Sequence, residues 1–311
     1  SSTSHLGSIQ MDQAPIPNET SPVSPPAAKS TVPTRTYPGT FDNMFADAKN
    51  VLLFDAMDGF RAEIMKQITP FFSMTHALMM GSQYFPREMG NSLYNLSIDV
   101  YRQHKNINAT LDSTGRIAGR MVWPINKQWT AIFNALTSMM PGQDNFSAEA
   151  HYKGPDYHLT AKVSSGSVLS ATYSQYVTKD LTLGMEVSHN PLRPGLSYSV
   201  GARYMFDTSM LGCLLNSQKQ MEAYYVNSPS KRTKLVSKLT IDFTSRMSEM
   251  QIGCLYLFKS GKLHMALTSS GHLQTFIEEF VTPTLLMTIS VDHGVFQNAT
   301  RVGFGAKVMM G

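Results

Sequence analysis

Apolar and polar side chains alternate along most of this chain, from Gly59 to Met310. Between Leu93 and Tyr101, for example, every even position is apolar, and the odd positions between them are polar. The same alternation is clear over residues 196–204 and 301–308. A period of two is the period of a β-strand, whose successive side chains point to opposite faces of a sheet. The chain is therefore predicted to be all-β from Gly59 onward.

The two faces of these strands are expected to meet two different solvents. Turn residues divide the region into about 19 segments, and strands of about 9 to 11 residues are long enough to cross a bilayer. Charged residues make up only 15% of the chain, against about 25% in soluble domains. No stretch approaches the roughly 18 consecutive apolar residues of a membrane-spanning helix. The pattern predicts an all-β transmembrane β-barrel of about 19 strands.

Two other all-β classes are less compatible with the sequence. A soluble sandwich or propeller would also alternate, but it would carry more charge and longer loops, and a propeller would show a blade repeat. A bacterial outer-membrane porin would need a secretory signal and an even number of strands. The start of the sequence has no basic region followed by an apolar core, so bacterial export is not expected.

The region before the strands divides into two parts. Residues 1–36 are rich in Pro, Ser and Thr, and they are predicted to form a disordered tail. Residues 37–58 lead into the barrel of residues 59–311 and carry an amphipathic helix, predicted from Phe41 to Phe54 with Thr40 as its N-cap. Its apolar positions recur at helical spacing: Phe41, Met44, Phe45, Ala48 and Leu52.

Strand parity predicts a lumen that is charged with both signs. The acidic positions that parity turns inward are Glu63, Asp99, Asp112, Glu149, Glu186 and Asp242. The basic ones are Arg61, Lys162, Arg203, Lys234, Lys238, Arg301 and Lys307. Acidic groups along a pore would attract a basic amphipathic peptide by Coulomb forces. A parity error of one residue would turn each of these side chains to lipid.

No pattern in the sequence predicts catalysis, a cofactor or a metal site. The nine histidines are scattered without ligand spacing, and the two cysteines, Cys213 and Cys254, are far apart. The net charge of +4 is diffuse, so nucleic acid is not an expected partner. The protein is predicted not to be an enzyme.

Four segments resemble the channel-forming subunit of the mitochondrial import translocase, a branch of the mitochondrial porin superfamily. They are YPGTF at residues 37–41, EAHYKGPDY at 149–157, TKDLTLGME at 178–186, and RVGFGAKV at 301–308. The last segment is similar to a barrel sorting signal, in which a polar residue is followed by glycine and two alternate hydrophobic positions. Arg301, Gly303, Ala306 and Val308 would occupy these positions.

The resemblance implies a 19-stranded barrel in the mitochondrial outer membrane, with parallel first and last strands and the N-terminal helix inside the lumen. It implies conduction of unfolded precursor proteins. The implied partners are those precursors, a central receptor, small single-helix subunits and a second copy of the pore. The alternative is the sister branch, the voltage-dependent anion channel, a metabolite porin of the same membrane. That branch begins its helix near the chain start, whereas more than thirty residues precede it here.

Overall fold

The structure of the protein is a computed structural model, and it describes residues 38–54, 56–81, 92–102, 104–139, 144–191, 195–296 and 299–310. The predicted tail, residues 1–36, lies outside the described residues. Among the residues described, no helix is both long enough and apolar enough to cross a membrane.

The described chain forms one α-helix followed by 19 β-strands. The helix α1 spans Ala46–Leu52. The strands are β1 (Gly59–Thr69), β2 (Phe72–Met80), β3 (Ser92–Arg102), β4 (Lys105–Asp112), β5 (Ile117–Pro124), β6 (Trp129–Thr137), β7 (Asn145–Lys153), β8 (Tyr157–Ser164), β9 (Val168–Tyr176), β10 (Leu181–His189), β11 (Leu196–Met205), β12 (Ser209–Asn216), β13 (Gln220–Ser230), β14 (Thr233–Asp242), β15 (Met247–Leu257), β16 (Gly261–Thr268), β17 (His272–Thr282), β18 (Leu285–Gly294) and β19 (Ala299–Met310).

All 19 strands belong to one closed sheet. Each strand pairs antiparallel with the next, and β1 pairs in parallel with β19, from Gly59 beside Gly303 to Lys66 beside Met310. The parallel pair leaves no open edge whose backbone groups would lack partners in lipid. We call the end of the barrel where β1 begins the lower rim and the end where β1 stops the upper rim. The strand count confirms the prediction from alternation.

The two faces of the sheet differ as the alternation predicts. In β10, Leu183 and Met185 are 41% and 47% exposed on the outer face. Thr182, on the inner face of the same strand, is 1% exposed. Exposed large apolar side chains occur on the outer face of strand after strand, which makes a continuous lipid-facing surface. The fold is a transmembrane β-barrel.

The helix is shorter than predicted. It begins at Ala46 rather than Phe41 and ends at Leu52 rather than Phe54. The five residues before it form tight turns, and the Thr40 hydroxyl accepts a hydrogen bond from the Asn43 backbone N–H at 3.3 Å. Thr40 therefore caps the first turn and not the α-helix. Leu53 has an extended backbone, which ends the helix.

Candidate functional site: the barrel lumen

The described residues of the segment 38–57 lie along the inner wall of the barrel. Near its start, the Gly39 carbonyl accepts a hydrogen bond from Ser174 of β9 at 2.6 Å. Near its end, the Met57 carbonyl accepts one from Ser290 of β18 at 2.5 Å. Between these points α1 contacts β13 to β16. The helix is therefore inside the lumen, as predicted.

The apolar side of this segment packs against apolar wall residues. The predicted helix positions Phe41, Met44, Phe45, Ala48 and Leu52 are all buried, with exposures of 0% to 6%. Their partners on the wall are Met210, Tyr224, Val226 and Val236. Phe45 stacks on Tyr224 with ring centroids 4.8 Å apart. This cluster is the apolar core of the molecule, and its burial is what holds a short helix in place.

The wall has glycines where the segment comes closest. A Cβ at Gly184 would lie 2.5 Å from Met44 Cε, and a Cβ at Gly212 would overlap the Phe45 ring. At the far end of the segment, a Cβ at Gly303 would overlap the Met57 backbone. The wall is thus shaped to the segment from β10 to β19, because any larger residue at these positions would displace it.

Arg203 of β11 joins the segment to the wall by three hydrogen bonds. Its guanidinium donates to the Met44 carbonyl at 3.0 Å, to the Pro38 carbonyl at 3.3 Å and to the Thr182 hydroxyl at 3.4 Å. The residue is only 9% exposed. A planar guanidinium donates in several fixed directions at once, which a lysine cannot do. Arg203 therefore fixes the start of the segment to the barrel wall.

An ion pair also joins the helix to the wall, but it is partly solvated. Lys234 of β14 lies 3.0 Å from Asp47 of α1, and the two side chains are 41% and 53% exposed. Exposed pairs of this kind contribute about 1 kcal/mol or less. Position in the lumen is therefore set mainly by the apolar cluster and by Arg203.

Every predicted inward charge lies on the lumenal face of its strand, but the acidic groups differ in their partners. Glu63 pairs with Arg61 at 2.5 Å and with Lys307 at 3.3 Å. Glu149 pairs with Lys162 at 3.0 Å. These carboxylates are compensated by neighbouring cations within the wall.

Three further acidic residues are held by uncharged groups. Asp99 accepts a hydrogen bond from the Asn108 amide at 2.7 Å. Asp112 and Asp242 sit at the lower rim, where each accepts backbone N–H groups of the turn that follows its strand. These two residues cap turns and do not line the middle of the lumen. Glu186 of β10 forms no hydrogen bond or ion pair with any residue that the structure describes.

The parity prediction missed four acidic residues at lumenal positions: Glu222, Glu249, Glu278 and Asp292. Glu222 of β13 accepts hydrogen bonds from Lys238 at 2.9 Å and from the Tyr224 hydroxyl. Glu278 of β17 pairs with Lys262 at 2.6 Å. In β13 the inner positions Tyr224 and Val226 are as apolar as the outer ones, because they face the helix. The alternation that would have marked Glu222 is therefore lost there.

The residues of the predicted sorting signal take up both faces of β19. Arg301 faces the lumen beside Asp292 of β18, and Gly303 lies beneath Met57. Ala306 and Val308 have the outward parity of the strand and pair with Ala62 and Ile64 of β1. Their role in assembly stays a prediction.

The described part of the lumen has no arrangement of ligands for a metal. Within the described part of the chain, no group of three or more His, Cys, Asp or Glu side chains is placed to hold a metal ion. His151 and His158 lie close together, with ring centroids 5.5 Å apart. What the lumen offers is a polar wall with paired charges and a fixed inner segment, which is the chemistry of a pore.

Comparison with known proteins agrees with this geometry. The family model described as eukaryotic porin matches residues 37–303. The chain belongs to the eukaryotic porin family. The matched range takes in both the lumenal segment of this porin and nearly all of its strands.

Individual relatives of this porin were also found. The probable mitochondrial import receptor subunit TOM40-2 of Arabidopsis thaliana is 22% identical over 280 residues, which cover 86% of this chain and 89% of the plant protein. Among solved structures, a triple mutant of Rhodopseudomonas blastica porin aligns with a TM-score of 0.49 and 6% identity, covering 75% of this chain and 95% of that one.

Proposed function

We propose that this porin is the channel-forming subunit of the translocase of the outer mitochondrial membrane and conducts unfolded precursor proteins. The observation that carries the proposal is the similarity to a plant mitochondrial import receptor subunit over 86% of this chain. Family membership alone fits a metabolite channel equally well. The similarity along nearly the full length, including the lumenal segment, favours the import function.

The lumen offers a path that suits an extended basic peptide. The contacts of residues 38–57 with the barrel lie on β9 to β19. The wall of β3 to β8 carries amides, hydroxyls and paired charges such as Glu149 with Lys162. A polypeptide without a fold presents both backbone amides and mixed side chains, so a hydrated polar wall lets it slide without strong binding. Glu186 of β10 lies near the border between the wall that residues 38–57 contact and the wall of β3 to β8. It is the carboxylate best placed to attract a passing cation.

Reconstitution in a planar bilayer tests the proposal. A basic, amphipathic presequence peptide should block the single-channel current reversibly, and the block should deepen as the voltage drives the cation into the pore. A scrambled peptide of equal charge that cannot form an amphipathic helix is the control. A current that stays unchanged by the presequence peptide would contradict the import function and favour the metabolite channel.

The role of Glu186 can be tested in the same bilayer. Glu186→Gln should raise the peptide concentration needed for half-block about threefold to tenfold, since one lumenal attraction is lost. Glu279→Gln removes a carboxylate from the outward parity of β17 and should leave the block unchanged. Equal effects of the two variants would contradict a client contact at Glu186.

The same proposal places the protein in the mitochondrial outer membrane within a larger complex. Its expected partners are precursor proteins, a central receptor, small single-helix subunits and a second pore of the same kind. The supporting observation is again the plant relative, which is named as a subunit of an import receptor. Carbonate extraction should leave the protein in the membrane fraction of mitochondria, and mild-detergent native electrophoresis should show it well above its own mass of 34.5 kDa.

A further inference from the structure

Both tryptophans of the chain lie on the outer face at one sector of the upper rim. Trp123 is the next-to-last residue of β5 and Trp129 begins β6, and they are 40% and 42% exposed. Tyr152 of β7 packs against Trp129 with ring centroids 4.9 Å apart. Indole rings on a barrel's outer face favour the level of the lipid headgroups. This sector of the upper rim is therefore at headgroup depth.

The same sector carries three cations. Arg102 and Lys105 are direct partners across β3 and β4, and the Lys105 ammonium lies 4.4 Å from the centre of the Trp123 ring. Lys127 is exposed in the turn between β5 and β6. The sequence has no acidic residue between Asp112 and Asp144, and Asp112 is at the opposite rim. Positive charge gathered at headgroup depth attracts anionic lipid.

Directly below these cations the outer face has an apolar groove of about 590 Å³. Its floor is made of small residues, and its sides are large apolar ones. The outward-facing lining includes Ala109, Gly119, Ala135 and Ala148 on the floor, with Ile107, Met121, Phe133, Phe146 and Val163 around them. The volume is within the range of about 300 to 1,000 Å³ of sites that hold a small ligand.

Cations and groove are parts of one surface. Lys105 and Trp123 are two residues above Ile107 and Met121 on the same two strands and the same face. Two residues of a strand span about 7 Å. A molecule with a negative head and an apolar tail would thus place its head at Lys105 while its tail enters the groove.

We propose that this surface, Arg102, Lys105 and Lys127 above the groove of β4 to β8, binds an anionic phospholipid. The phosphate lies between the cations, the indole of Trp123 packs against the glycerol region, and one acyl chain fills the groove. The positive charge of the three cations favours an anionic lipid over a zwitterionic one, because a zwitterionic lipid carries a compensating cation of its own. The site faces lipid and is independent of what crosses the lumen.

Tryptophan fluorescence tests the proposal directly, since Trp123 and Trp129 are the only two tryptophans. The full chain is reconstituted in vesicles of phosphatidylcholine and phosphatidylglycerol, with bromine on the acyl chains of one lipid or of the other at equal mole fraction. Brominated phosphatidylglycerol should quench more strongly, with a relative affinity of at least about fivefold, the factor of a single interfacial cation. Equal quenching would overturn the proposal and is the result expected of a groove that a partner's membrane helix covers.

Charge variants assign the preference to the three cations. The triple variant Arg102→Gln, Lys105→Gln and Lys127→Gln should lose it. The matched control is Lys231→Gln, Arg232→Gln and Lys259→Gln, which removes three exposed cations from other turns of the same rim and should keep it. A preference that survives in the first variant would overturn the assignment.

Two further arms test the tail and the source of the phosphate. Ala135→Leu fills the floor of the groove and should reduce the preference, whereas Ala161→Leu, on the outer face beyond the groove, should not. If Ala135→Leu kept the full preference, the proposal that an acyl chain fills the groove would be wrong. Inorganic phosphate at constant ionic strength should not compete, and loss of the preference in phosphate would show a plain anion site instead.

Discussion

At the scale of single residues, Arg203 is the polar group on which the position of the lumenal segment depends most. It donates to Met44 and Pro38 of the segment and to Thr182 of the wall while almost fully buried. Arg203→Gln should weaken the docking of the segment by about 3 kcal/mol, since the charged donor is lost and backbone carbonyls stay buried without it. Labelling of a thiol placed by Met44→Cys should then speed up about a hundredfold.

The labelling experiment needs a background in which Cys213 and Cys254 are serine. Arg120→Gln, which removes a lumenal guanidinium from β5, is the matched control and should leave the labelling rate unchanged. Arg203→Lys should fall between the wild type and Arg203→Gln, since an ammonium keeps the charge without the planar geometry. A slow labelling rate in all three variants would mean that the apolar cluster alone holds the segment.

Single inner positions were predictable wherever one face of a strand meets water and the other lipid. Glu63, Glu149 and Glu186 all face the lumen as parity indicates. Glu222 could not be found in this way, because its strand is apolar on both faces where the helix covers it. The partners of each carboxylate could not be predicted either, since they come from neighbouring strands and the sequence does not give the register between strands.

At the scale of elements, the closest fit is between the inner segment and the glycines beneath it. Gly212→Ala places a Cβ against the Phe45 ring, so the segment should shift or detach, with a loss of roughly 1 to 3 kcal/mol. Gly119→Ala on the outer face is the control, because nothing lies within 4 Å of its Cβ. Thermal unfolding in detergent should show a lower midpoint for Gly212→Ala only, and equal midpoints would contradict the close fit.

The helix itself is expected to depend on the barrel. Seven residues are fewer than the roughly 12 to 15 that an isolated helix needs in water. A synthetic peptide of residues 38–58 should therefore show a disordered far-ultraviolet circular dichroism spectrum. Strong helicity in water would contradict this view. The same physics explains the wrong helix bounds, because apolar spacing indicates which residues face the wall but does not separate tight turns from an α-helix.

At the scale of the whole molecule, the sequence predicted the number of strands but not how the sheet closes. Alternation indicates which face of each strand is apolar. This was enough to predict about 19 strands, each with one face toward lipid and the other toward water. An odd count requires one parallel pair, and only the resemblance to a known family implied where it lies. The register of that pair depends on backbone geometry across the 229 residues between β1 and β19, which no local pattern records.

The parallel seam gives a direct test of closure. Ala62 of β1 and Ala306 of β19 are paired in register and share the outward parity of their strands. Neighbouring strands lie about 4.8 Å apart, which suits a disulfide. Ala62→Cys with Ala306→Cys, in a background without the native cysteines, should form an intramolecular bond after mild oxidation, and the circular product should migrate differently on non-reducing gels. Ala62→Cys with Phe304→Cys, two residues out of register, should form it poorly. If the in-register pair stays reduced while the offset pair forms the bond, β1 and β19 pair in another register, and the inner wall over which Met57 lies would be built differently.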